Sequence, residues 1–96
     1  MSSVRREKVA ICTPGTYKYF LPEEEDPLEV WVRLEQEMGP IRTTQFAMEI
    51  ETQGLMIRST HSGNPILCIP KRKCTPADLE RFHALIRFPA EESQSP

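Results

Sequence analysis

Residues 44–59 read TQFAMEIETQGLMIRS, and the spacing of the apolar side chains in this stretch decides the fold. Phe46, Met48 and Ile50 alternate with Gln45, Ala47, Glu49 and Glu51. That is the two-residue period of a strand buried on one face only. Gln53-Gly54 then supplies a tight reversal, and Leu55–Ser59 returns as a second strand. A half-covered antiparallel sheet is therefore expected, with Phe46 among the residues turned toward the core.

Upstream, PEEEDPLEVWVRLEQEMGP (22–40) carries the marks of a helix. Asp26 suits the N-cap, Pro27 the first helical position, and Glu29 the return bond of a capping box. The acidic run lies at the positive end of the helix dipole. Leu28, Val30, Trp31, Val32, Leu34 and Met38 cover about half of the wheel, and Gly39-Pro40 ends it. Before the helix, EKVAICTPGTYKYFLP (7–22) holds two β-rich runs, Val9–Cys12 and Thr16–Phe20. Between them Pro14-Gly15 fits the centre of a type II turn, so a hairpin is expected.

Downstream, THSGNP (60–65) reads as a loop and ILCI (66–69) as a short apolar strand closed by Pro70. Thr75, Pro76 and Asp78 form a second capping signature. Leu79, Phe82 and Ile86 make the buried stripe of a last helix, with His83 at its edge and Pro89 as its stop. The sum is an α+β fold, an antiparallel sheet with two helices on one face, in the order β-β-α-β-β-β-α. One domain over residues 7–89 is expected, with short polar tails at 1–6 and 90–96 that suit mobile chain ends.

The net charge of −2 supplies no overall field toward nucleic acid or an acidic membrane. Its distribution is uneven. Residues 22–40 hold seven carboxylates against Arg33, whereas residues 41–90 hold seven cations against four carboxylates. No apolar run reaches the length of a signal peptide or a membrane span. Three sparse cysteines, Cys12, Cys68 and Cys74, read as reduced thiols, so an intracellular location, cytoplasmic or nuclear, is expected.

The stretch CIPKRKCTP (68–76) poses the functional question. Cys68 and Cys74 are spaced too widely for a zinc knuckle, His61 and His83 are the only other candidate ligands, and Cys12 is distant, so no metal or other cofactor is expected. Cys74 precedes a helix N-terminus and follows Lys73, a setting that lowers a thiol pKa. It is the only opening for catalysis, because no phosphate loop, carboxylate dyad or hydrolase elbow is present. Lys71, Arg72 and Lys73 can project with the helix N-terminal amides toward one anion.

Two resemblances bear on these residues. Residues 26–87 follow the order of the small Alu-domain subunits of the signal recognition particle, and PILCIPKRKCTPADLERFHALI (65–86) is similar to the third strand, basic loop and last helix of the smaller one. GPIRTTQFAMEIETQG (39–54) resembles the double-stranded-RNA-binding domain at Gly39, Pro40, Phe46 and Gly54, and PKRK resembles the cations that open its second helix. Both resemblances imply a non-enzymatic RNA binder. Lys71, Arg72 and Lys73, with Arg58, Arg42 and His61, would contact phosphates, reading mostly duplex shape. The alternative is a protein-interaction module that self-associates as a homodimer. Trp31, Tyr17 and Tyr19 would carry its interface, and strand Thr16–Phe20 would offer an edge.

Overall fold

A computed structural model describes residues 3–9 and 15–88. Six strands form one antiparallel sheet in the order β1-β2-β6-β5-β4-β3. They are β1 (Arg5–Lys8), β2 (Tyr17–Phe20), β3 (Arg42–Thr43), β4 (Met48–Glu51), β5 (Leu55–Ser59) and β6 (Ile66–Pro70). Two helices, α1 (Pro27–Met38) and α2 (Pro76–Ile86), pack side by side on one face. The expected fold class is thus present, with one strand more than the sequence pattern gives.

The strand register sorts side chains cleanly between the faces. Tyr19 pairs with Ile66, Tyr17 with Cys68, Cys68 with Ile57, and Ile57 with Ile50. These side chains meet Val30, Trp31 and Leu34 of α1 and Phe82 and Ile86 of α2 in a single core. Fully burying such residues stabilises the fold by ~1.5–3 kcal/mol each before entropy is counted. Helix α2 has the full capping box, Thr75 and Asp78 each accepting the other's backbone N–H. At α1 the cap is simpler than expected: Asp26 accepts from the Leu28 N–H, and Glu29 makes no return bond.

Three departures from the sequence pattern have physical causes. The first described strand is Arg5–Lys8, ahead of the expected run Val9–Cys12, of which only Val9 is described; residues 10–14 lie outside the described residues. Arg5 and Arg6, assigned by sequence to the tail, lie over aromatic rings instead, Arg5 over Phe20 and Arg6 over Tyr17, each at 4.3 Å. Val4 beside them is buried. The stretch 44–59 does not begin as a strand: residues 44–47 form a turn between β3 and β4, and Phe46 at its tip is 81% exposed. Finally, α2 ends at Arg87 in the left-handed region (φ 62), where the Phe88 N–H donates to the His83 carbonyl at 2.8 Å. Pro89 and the tail at 90–96 lie outside the described residues.

Candidate binding face of the sheet

Because both helices cover one side, the other side of the sheet is bare. Side chains that alternate with the core residues stand on it. One row crosses all six strands through Arg42, Glu49, Arg58, Leu67, Lys18 and Glu7. A second row holds Glu51, Met56 and Ile69. Arg5 and Phe20 stand at the β1–β2 corner.

Three of the sequence-predicted cations meet on this face. Glu49 bridges Arg42 and Arg58 at 3.0 and 2.9 Å, and Glu51 bridges Arg42 and Lys71 at 3.5 and 2.8 Å. Lys71 also donates to the Thr52 carbonyl at 2.9 Å. The Lys71 ammonium, first by its hydrogen bond and then by its charge, holds the Glu51 carboxyl below its ordinary value. Arg42 is pushed up by Glu49 and Glu51. Such exposed pairs add little stability singly, but they fix where each guanidinium sits. Arg72 and Lys73 are exposed and unpaired, directly ahead of α2. His61 donates from Nε2 to the Thr44 carbonyl at 2.8 Å, tying the β5–β6 loop to the β3–β4 turn. It therefore holds that turn in place.

The aromatic residues expected at a protein interface are elsewhere. Trp31 is 1% exposed, and its indole N–H donates to the Gly63 carbonyl at 3.0 Å. Tyr19 is also 1% exposed, its hydroxyl 2.7 Å from His83 Nε2, and burial pushes its pKa up to about 12. Tyr17 is half-buried under Arg6. Trp31 and Tyr19 each have their polar atom satisfied inside the fold, which makes them core residues, and Tyr17 packs partly buried against that core. Strand β2 lies between β1 and β6, so it offers no edge.

Cys74 is not activated either: burial, then Asp78, pushes its thiol up from its ordinary value. Cys68 is buried and pushed up to about 12. Among the described residues no three His, Cys, Asp or Glu side chains gather as a metal site, and no helix is long and apolar enough to cross a membrane.

Sequence reasoning missed two residues of the bare face, Lys18 and Phe46. Together with Ala47, Arg58, Ser59, Thr60, Pro65 and Leu67 they line an open cleft of ≈ 240 Å³. The turn that presents Phe46 is tightly built. Thr44 Oγ1 accepts the N–H groups of Phe46 and Ala47 at 3.3 and 3.1 Å, and the Thr44 N–H donates to the Ala47 carbonyl at 2.8 Å. Thr-Gln at 44–45 was the available signal, since a Thr that opens a four-residue reversal bonds its own turn. Comparison with protein-family models, with curated proteins and with solved structures finds no match to this chain.

Proposed function

We propose that this chain is a non-enzymatic RNA-binding protein that engages its ligand on the bare face of the sheet. The observation that carries this reading is the convergence of cations from separate segments onto that face. Five cations (Arg5, Lys18, Arg42, Arg58 and Lys71) stand there against three carboxylates (Glu7, Glu49 and Glu51). Arg72 and Lys73, both exposed, follow Lys71 in the loop that leads into α2. The acidic residues of 22–40 belong to the opposite, helical layer. A surface positive on one side and negative on the other orients a polyanion before contact. Phosphate contacts of this kind position a ligand without reading its sequence.

Binding titrations across salt test it. Affinity should fall linearly on a log–log scale, with a slope of ~0.7–0.9 per phosphate contact. The triple variant Lys71→Ala, Arg72→Ala, Lys73→Ala should flatten that slope. Absence of binding at low salt sinks the reading.

A protein partner, including a second copy of the chain, is the second reading, and one observation favours it. Glu49 and Glu51 already neutralise much of the charge of Arg42, Arg58 and Lys71, while Met56, Leu67 and Ile69 stand half-exposed beside them. Mixed charge around apolar side chains is common at protein interfaces. Light scattering over a wide concentration range decides for or against self-association.

A further inference from the structure

We infer that the cleft at Phe46 takes one unstacked base of a single-stranded RNA, with Lys18 and Arg58 on the flanking phosphates. The inference rests on the RNA-binding reading and narrows it, because the chain would then select single strands over duplexes.

The exposed ring is the first observation. Phe46 is 81% exposed in a turn whose backbone is fixed by Thr44 and tethered by His61. A large apolar side chain left in water on a hydrogen-bonded turn gains nothing for the fold, but it offers a platform for a flat ligand. Stacking on an aromatic ring uses the face of a base, and in a duplex that face is occupied by its neighbours.

Charge placement is the second. Lys18, Leu67 and Arg58 are cross-strand neighbours, so Leu67 floors the cleft and the two cations flank it, two strand spacings or ~10 Å apart. Lys18 is half-buried and makes no ion pair among the described residues, because Glu7, its cross-strand neighbour, is engaged by Arg5 at 2.9 Å. Arg58 reaches Glu49 through Nε, which leaves its terminal nitrogens for an anion. Glu49 and Glu51 lie farther along the sheet and do not line the cleft. An apolar floor between two cations complements a base between two phosphates.

Size is the third. The cleft holds ≈ 240 Å³, below the ~300–1,000 Å³ of a site for a drug-sized molecule, and it is open to solvent. That suits one planar ring on a continuing strand. Both hydroxyls of its lining are engaged within the fold: Ser59 Oγ donates to the Pro65 carbonyl at 2.8 Å, and Thr60 Oγ1 lies 2.8 Å from Ser62 Oγ.

The test uses the full chain and two fluorescein-labelled probes of the same sequence, a single-stranded RNA and its blunt duplex, read by anisotropy. The single strand should bind more tightly. Phe46→Ala should weaken it by ~5- to 150-fold while leaving the duplex unchanged. Phe46→Trp should restore affinity, and the new indole emission should be quenched by the single strand alone. Lys18→Gln should lower the salt slope for the single strand by ~0.7. Duplex preference, or equal single-strand affinity in Phe46→Ala and wild type, overturns this inference and leaves the RNA-binding reading standing. Failure of both probes to bind at low salt overturns both.

Discussion

Strand β4 is closed at its two ends by the same four-residue turn, built once from Thr44-Gln45-Phe46-Ala47 and once from Thr52-Gln53-Gly54-Leu55. In each, the threonine N–H donates to the carbonyl three residues on, at 2.8 Å. In each, the threonine hydroxyl accepts the N–H groups of the third and fourth residues. The third position is where they differ. Gly54 is buried against α2, and a Cβ there would overlap the Asp78 carboxylate and lie 3.2 Å from Cys74 Cα. Phe46 meets water. One turn gives up its side chain so that a helix can dock; the other spends its side chain on the surface. Identical backbone chemistry thus serves packing at one end and leaves an aromatic ring in solvent at the other.

The contrast can be broken most sharply at Gly54. Gly54→Ala should destabilise the domain by ~3 kcal/mol, since the new methyl group displaces the Asp78 cap or the start of α2. Urea unfolding measures it, and a cost below ~1 kcal/mol would mean that α2 yields easily. Adding Asp78→Ala should recover part of that loss, with a coupling of ~1 kcal/mol read from a double-mutant cycle. Next in size, Thr52→Val and Thr44→Val should each cost ~1 kcal/mol, because each strips two backbone donors of their acceptor. Thr44→Val should in addition weaken binding at Phe46, whereas Thr52→Val should not.

Acid should separate the turns. Glu51 titrates below its ordinary value of 4.5 because Lys71 donates to it and attracts it. The folded state therefore binds fewer protons than the unfolded state just below pH 4.5, and stability falls as pH drops through the folded value. Lys71 also clamps the Thr52 carbonyl, so the Gly54 and Leu55 amides should lose exchange protection there before the Phe46 and Ala47 amides do. Lys71→Met should abolish that difference. The smallest effect belongs to Phe46→Ala, whose stability should stay within ~0.5 kcal/mol of the wild type. A larger loss would make Phe46 a structural residue.

Most of this architecture is legible in the sequence, and the unread parts share a cause. Alternation located β4 and β5, and the Thr75–Asp78 spacing located the start of α2. Yet a period of two cannot distinguish a strand residue from a turn residue of the same parity, so alternation groups Phe46 with Met48 and Ile50, whereas Phe46 stands apart from both. Trp31 and Tyr19 misled for a different reason. Their polar atoms suit a wet interface, and only the fold reveals that Gly63 and His83 satisfy them inside. The strand at Arg5–Lys8 is hardest to foresee, because arginines that lie on rings look in sequence like a solvated tail.

The opposed layers also give the molecule an electric dipole. An isoelectric point near 5.7 describes only its sum. Near neutral pH the protein should be retained by both anion- and cation-exchange media at low salt, one through α1 and the other through the bare sheet. On any charged surface it would settle with a preferred side down.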